Sequence, residues 1–336
     1  MGRLYAPPYT ITSAIVSLVA EISEMIGQLS ALVADAGSLR LRRINRIRTI
    51  QGSLAIEGNT LSQEQITAIL EGKRVVAAPR EILEVRNAIK AYDLFLQWCP
   101  WQEEDLLSAH GVIMQGLLDE SGQYRSGGVG VMAGAEVIHM APPAGRVPSL
   151  MQDLMGWIQI TPDHPLVSSS VFHYEFEFIH PFADGNGRLG RLWQTLILSR
   201  WNQLFAYIPV ESLVYEHQQT YYAALNESTQ KGDSSVFIEF MLTMVAQALV
   251  KLPSTPQVAP QVTPQVRQLL QVLVAEMSRE QMQNSLGLHD RKSFRERYLV
   301  PALAAAFIEM TIPDKPNSRL QKYRLTEKGR DQLHMF

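Results

Sequence analysis

The chain has 336 residues, 46% of them hydrophobic and 19% charged, with a net charge of −3 at neutral pH. That length suits two domains of ordinary soluble composition, and the charge excludes a polycation that coats nucleic acid over its whole surface. The lone cysteine, Cys99, cannot form an internal disulfide, which fits a reducing compartment and equally a disulfide-free exported protein.

Met1 to Thr10 contains Pro7-Pro8 and no apolar signal core. Long apolar stretches such as Val236 to Val250 are interrupted, here by Glu239, Thr243 and Gln247, and fall short of the roughly 18 apolar residues of a membrane helix. The expected location is the cytoplasm. Ile15 to Ala34 carries an apolar stripe at helical spacing, and Leu39 to Glu57 continues it until Gly58-Asn59 supplies a stop. Ser62 with Gln65 forms a capping-box pattern for a short helix ending near Gly72. Helical patterns follow over 80–97, 103–118, 147–160 and 165–179. Val129–Met132 and Val137–Met140 flank a Gly-containing turn and predict a hairpin, the only strands expected before the linker. Arg40, Arg42, Arg43, Arg46 and Arg48 crowd the second helix and read as a solvated face.

Prolines 253, 256, 260 and 264 mark a semi-rigid linker over 251–263. The charge changes across it. Residues 264–336 are net +4, and the preceding 263 are net −7. Four segments result: N-terminal helices (1–59), a helical domain (60–250), the linker (251–263) and a C-terminal domain (264–336).

The densest chemistry lies in His180 to Arg191, HPFADGNGRLGR. Pro181 ends the preceding helix at His180. Asp184-Gly185-Asn186-Gly187 is a tight turn, and Arg188 to Trp201 restarts as an apolar-striped helix. Such a turn offers free N–H groups and a helix dipole to an anion, with glycines that permit close approach. Arg188 and Arg191 are three apart and share a face. Asp184 is a hard oxygen donor suited to Mg²⁺ beside that anion. His180 is suited to take a proton. A base, a metal ligand and a phosphate cradle are what transfer from a nucleotide to a hydroxyl requires.

This segment resembles the Fic motif, His-Pro-Phe-x-Asp/Glu-Gly-Asn-Gly-Arg-x-x-Arg, at every defining position. The resemblance implies a mainly α, Fic-type helical bundle with a β-hairpin flap over 60–250. It implies an ATP- and Mg²⁺-dependent protein adenylyltransferase, which transfers AMP to a hydroxyl of a target protein or of itself. His180 would be the general base and Asp184 the Mg²⁺ ligand. Gly185, Asn186 and Gly187 would form the anion hole, with Arg188 at the β-phosphate and Arg191 at the γ-phosphate. Phe182 would pack inward. Gly187 departs from the lysine of Doc-type kinases. The fold also hosts phosphocholine and UMP transfer, so a different phosphate-linked group stays open as an alternative. The hairpin at 129–142, flanked by Gly122-Gln123-Tyr124-Arg125 and Pro142-Pro143, resembles the flap that holds the target by strand addition. Tyr221-Tyr222 resembles a tyrosine pair near the nucleotide base, with core packing as the other reading.

Ser53-Leu-Ala-Ile-Glu57-Gly58 resembles the family's inhibitory pattern, Ser/Thr-x-x-x-Glu-Gly/Asn. Ser53 and Glu57 share a helix face. The resemblance implies that Glu57 pairs with Arg191 and blocks the γ-phosphate, in the class whose inhibitory helix precedes the motif. In some relatives the same glutamate supports removal of AMP, which extends the implied role of Glu57 to de-AMPylation.

Pro264–Glu276, Ser278–Leu286 and Asp290–Leu299 read as three helices. Ile308 to Leu325 reads as two short strands around a wing at Pro313–Asn317, the order of a winged helix–turn–helix. The basic third helix would serve protein contacts, including a homodimer, or DNA. A DNA-binding regulator with the helical domain as nucleotide sensor is therefore the alternative to the enzyme.

Overall fold

The structure is a computed structural model that describes residues 5–32, 38–133, 136–254, 264–273, 275–288, 290–312, 318, 320–326, 329–330 and 333. The chain divides into two compact units, Met1–Ser254 and Thr255–Phe336.

In the first unit α1 spans Ser13–Leu32, α2 Ser38–Ile56, α3 Gln63–Leu70, α4 Pro79–Leu94 and α5 Glu103–Ile113. The hairpin follows as β1 (Gly130–Ala133) and β2 (Glu136–Met140). Then come α6 (Val147–Ile160), α7 (Pro165–Ile179), α8 (Asn186–Trp201), α9 (Val210–Glu216), α10 (Gln218–Lys231) and α11 (Ser235–Ser254). The mainly helical fold with one hairpin is the expected class.

Local chemistry explains most helix ends. Ser62 and Gln65 form the predicted reciprocal capping box at the start of α3. Pro165 opens α7, while the His164 side chain accepts the Leu166 N–H. The fifth helix was expected to reach residue 118 but stops at Ile113. Gly116 is left-handed there, and the Asn87 side chain takes the Ile113 and Gln115 carbonyls. At the other extreme, α11 runs to Ser254 with Pro253 in its last turn, four residues into the expected linker.

The packing centres on α7 and α8, joined by the 180–185 turn. Thirteen of the fifteen residues of α7 are buried, and α8 is buried along nearly its whole length. A helix hydrophobic or small on all sides must be enclosed, and α1, α2, α5, α6 and α11 pack on this pair. α11 is long and apolar enough to cross a membrane by length and composition, with a window hydropathy of 1.6, yet 61% of that window is buried in this core.

α2 is seated on α9. A methyl group at Gly52 would lie 2.7 Å from the Glu211 carbonyl carbon and from the Ser212 nitrogen. Only glycine allows that backbone approach. Ser212 donates to the Arg48 carbonyl, and Gln218 to the Ile56 carbonyl, so both ends of the seat are tied. The arginine row of α2 is only partly the expected solvated face: Arg43 is exposed, but Arg42 and Arg46 are partly buried. Arg46 pairs with Asp93 at 2.7 Å and donates to the Ile89 carbonyl. Arg42 stacks over the Tyr207 ring, and Arg43 pairs with Glu71. Neighbouring elements crowd this face closely enough for the long side chains to reach partners.

The hairpin is antiparallel, with Gly130 opposite Met140 and Val131 opposite His139. The register then slips, so that Met132 faces Val137 and Ile138 is extra. Such a bulge twists and re-aims an edge strand.

In the second unit, α12 (Pro264–Val272), α13 (Arg279–Ser285), α14 (Arg291–Phe294) and α15 (Val300–Ala304) precede β3 (Ile308–Met310) and β4 (Tyr323–Leu325). The strands pair antiparallel. Leu269, Leu270, Phe294, Phe307 and Tyr323 lie in its core. The first helix is shorter than expected. The third continues past Leu299 through a π-helical turn, Arg295–Leu299, into α15, where Pro301 sits in the first turn and needs no donor. The expected wing, 313–317, lies outside the described residues.

Candidate active site

The turn between α7 and α8 is built as an anion seat. His180 closes α7 in the left-handed region, φ 49° and ψ 62°. For a histidine that costs about 1–3 kcal/mol and must be held by its surroundings. Its N–H donates to the Phe176 carbonyl, and its carbonyl accepts from Arg125 Nε at 2.7 Å. Asn186 fixes the loop from inside, accepting the Phe182 N–H and donating to the Phe182 carbonyl, both at 2.9 Å. Phe182 is fully buried, as expected. Gly185 caps α8 with φ 86°. A side chain there would also strike Met114.

His180 Nδ1 faces its own helix. It lies 3.4 Å from the Glu177 carbonyl and 3.9 Å from the Glu177 carboxylate. A base acting through this ring on the side away from Glu177 would use Nε2. The imidazole is about one-fifth exposed, so it sits at the rim of the site.

Asp184 is half-exposed. Its Oδ1 accepts from Gly185 N–H at 2.6 Å and from Arg188 at 2.9 Å, and its Oδ2 lies 3.5 Å from Arg80. Among the described residues no group of three or more His, Cys, Asp or Glu could cage a metal. One accessible carboxylate is nonetheless the donor set that Mg²⁺ uses when substrate phosphates and water complete its shell. The residues present fit a metal that arrives with a nucleotide.

Both motif arginines are buried, and protein oxygens hold them. Arg188 is 6% exposed, with Asp184 at 2.9 Å and Glu84 at 3.6 Å. Its buried Nε has no hydrogen-bond partner among the described residues. Arg191 is 3% exposed and donates to Glu57 Oε1 at 2.7 Å, to the Ser53 carbonyl at 2.9 Å and to Ser53 Oγ at 3.2 Å. Burial alone would make Arg191 less basic. Glu57, with Tyr221 and Glu177 behind it, reverses this and holds the guanidinium above its ordinary value. Ser53 and Glu57, paired by spacing in the sequence, thus meet Arg191 from one face of α2. The Glu57 carboxylate also lies against Gly187, where a methyl group would collide with it and with Arg191 Nη1. A carboxylate therefore stands at the N-terminus of α8, the position favourable to anions.

Tyr221 is placed differently from the base-stacking expectation. It is 2% exposed, its hydroxyl lies 3.2 Å from His173 Nε2, and its ring packs on Phe237 and Phe240. It is a core residue beneath Arg191 and presents no face to a base. Tyr222 is half-buried beside it.

Several site residues escaped the sequence reading. His110 is fully buried, stacks on Phe182 with ring centroids 3.7 Å apart, and accepts the Gly122 N–H on Nδ1. Its Nε2 therefore carries the proton and donates to the Asp184 carbonyl at 2.9 Å. Burial holds its pKa below the ordinary value, which preserves this neutral form. His173, pushed down to about 3 by burial, is neutral too, with Nδ1 on Gln194. Glu177 is buried and its carboxyl is pushed up to about 7, first by burial, with Arg191 opposing and Glu57 adding to the rise. Its signal in the sequence was a carboxylate three residues before His180, in a helix that also carries Glu175, His173 and three serines.

This helical fold, with its catalytic-type loop between two enclosed helices, defines a class already characterised in other proteins. Residues 100–198 match the Fic/DOC family, and residues 264–326 match the C-terminal domain of Filamentation induced by cAMP protein Fic-like. A Fic family protein from Desulfovibrio desulfuricans G20, known from its crystal structure, is 53% identical, with a TM-score of 0.78 over 96% of this chain and 99% of that one. The chain belongs to the Fic family. Fic-1 of C. elegans (residues 134–508) shares the fold at 22% identity and a TM-score of 0.61, each chain covered to 73%. The Culex quinquefasciatus protein named Protein adenylyltransferase Fic is 30% identical over 229 residues, 64% of this chain and 43% of that protein. Its Drosophila melanogaster counterpart is 28% identical over 235 residues, 66% and 45% respectively. The chain thus spans a little under half the length of these curated relatives.

Proposed function

We propose that the chain is a protein adenylyltransferase, using ATP, that Glu57 holds in an inhibited state. The observation that carries this reading is the Glu57–Arg191 pair at 2.7 Å, with the carboxylate against Gly187 at the anion seat. A residue whose only task was to cap α2 would not need to reach a buried arginine of the catalytic loop. The names of the relatives give the nucleotidyl class, and the loop chemistry agrees with it.

In the reaction His180 Nε2 takes the proton of the acceptor hydroxyl. The freed oxygen attacks the α-phosphorus of ATP. The bond between that phosphorus and the α,β-bridging oxygen breaks, and pyrophosphate leaves with the electron pair. Arg188 and Arg191 neutralise the β- and γ-phosphates, and the α8 N-terminus receives negative charge as it builds. Asp184 would hold Mg²⁺, which would offset charge on the phosphates. The hairpin would align an acceptor segment by main-chain pairing. While Glu57 occupies Arg191, the γ-phosphate lacks its partner and ATP binds unproductively. Ser53 deepens the block by taking two further donors of the same guanidinium.

Intact-mass analysis of the Glu57→Gly protein after incubation with ATP or UTP and a magnesium salt tests the reading. Gain of one AMP with ATP is expected. Gain of UMP instead would change the donor, and no adduct on the protein or on any lysate protein would contradict the transferase reading.

A further inference from the structure

Arg125 is 4% exposed, yet among the described residues its guanidinium donates to main-chain carbonyls alone. Nε reaches His180 at 2.7 Å, Nη1 reaches Gly127 at 2.8 Å, and Nη2 reaches Pro142 at 2.6 Å and Ile179 at 3.3 Å. Its own N–H donates to the Pro181 carbonyl at 2.9 Å. Burying a guanidinium without a carboxylate is expensive. A neutral side chain would fill the space at lower cost, so the feature of use must be the rigid fork with several donors, which only arginine offers.

The placement of the fork's four acceptors, with the Pro181 carbonyl on the main-chain N–H, indicates what Arg125 does. Gly127 lies three residues before β1 and Pro142 two residues after β2, so one side chain ties the approaches to both legs of the hairpin. Ile179, His180 and Pro181 are the end of α7 and the start of the catalytic loop. His180 is the non-glycine residue of the loop held in the left-handed region, and Arg125 binds the carbonyl that would swing if it relaxed.

We propose that Arg125 is a positioning residue that sets the distance and orientation between the hairpin and the His180 imidazole. This rests on the transfer reading above. Arg125 touches neither ATP nor acceptor in that scheme. It holds the base in its strained backbone and registers it against the strand that would present the hydroxyl. The phosphate ligands Arg188 and Arg191 rise from α8 and do not depend on it.

The test places Arg125→Lys and Arg125→Gln in the Glu57→Gly protein. Self-labelling with ATP radioactive in its α-phosphate gives kcat and KM for ATP, and calorimetry gives ATP affinity. Misplacement of about 1 Å costs on the order of 10²-fold in rate, so kcat should fall by about that factor while KM and ATP affinity change less than about two-fold. Hydrogen exchange should quicken in 127–142 and 179–182 together, and not in α8. Equal loss of ATP affinity and kcat would mean a general structural role and would overturn the proposal, as would unchanged exchange in both segments. The exchange arm decides the matter even if the Glu57→Gly parent transfers nothing, a result that would count against the transfer reading alone.

Discussion

The seat of α2 on α9 makes a prediction remote from the catalytic loop. Gly52→Ala places a methyl group 2.7 to 2.8 Å from three main-chain atoms of Glu211 and Ser212. Main chain cannot rotate away as a side chain can, so the helix must lift by about 1 Å to restore ordinary carbon contacts of 3.5–4.0 Å. Glu57 lies five residues further along, about 7.5 Å by helical rise, and Ser53 is the next residue. A lift of that size lengthens the 2.7 Å Glu57–Arg191 contact beyond hydrogen-bond range. A hydrogen bond between charged groups contributes about 1.5–3 kcal/mol, so losing it raises the open population about ten-fold or more. Overpacking itself costs about 1–3 kcal/mol. Melting should therefore fall by several degrees, about 2–4 °C per kcal/mol for a unit of this size. Gly52→Ala should be less stable yet more active, measured as self-labelling from ATP radioactive in the α-phosphate beside a thermal melt. A less stable protein with parental activity would refute the link between the α2 seat and the brake, and an unchanged melt would refute the tightness of the seat.

In the Glu57→Gly background, His180→Ala should lose transfer by roughly 10² to 10⁴-fold, the usual worth of a general base, while calorimetric ATP affinity stays close to that of the parent. Glu211 supplies a pH prediction. Its buried carboxyl is pushed up to about 7, mainly by burial, against an ordinary 4.5. Between those values it is protonated in the folded chain and ionised in the unfolded one, so unfolding releases a proton and rising pH favours it. The stabilisation is full below about 4.5 and gone above about 7, a change on the order of 3 kcal/mol at 1.36 kcal/mol per unit. Urea midpoints at pH 5 and pH 8 should differ less in Glu211→Gln than in the parent, and equal differences would mean that Glu211 is ionised in the fold.

The sequence exposed the parts whose chemistry is local. The HPFADGNGRLGR segment carries its turn and its helix in one stretch, and the structure keeps both, with α8 starting at Asn186, two residues before the expected Arg188. The four-residue spacing of Ser53 and Glu57 was enough to put both on one face, and the fold aimed that face at Arg191. Features that depend on long-range packing were hidden. Arg125 and His110 act on carbonyls 55 and 74 residues away, and no local pattern distinguishes a buried arginine from an exposed one. Tyr221 takes the second of its two readings, core packing, and the sequence could not choose because a helical tyrosine pair has the same spacing whether it faces a base or a core. The arginines of α2 looked solvated because their partners, Asp93, Glu71 and Tyr207, come from elements distant in sequence. The third helix of the second unit ran past its expected end because a π-turn absorbed the constraint set by Pro301.

The most direct test of the central claim is one labelling experiment on four proteins: parent, Glu57→Gly, Arg191→Ala and the double variant. All are incubated with ATP radioactive in the α-phosphate and a magnesium salt, and label on protein is counted. Glu57 is held to act by occupying Arg191, so the two changes must couple. Glu57→Gly should label strongly, Arg191→Ala weakly, and the double variant should lose most of the gain. If Glu57→Gly labels no more than the parent, or if the double variant keeps the full gain, then the 2.7 Å pair is not the brake.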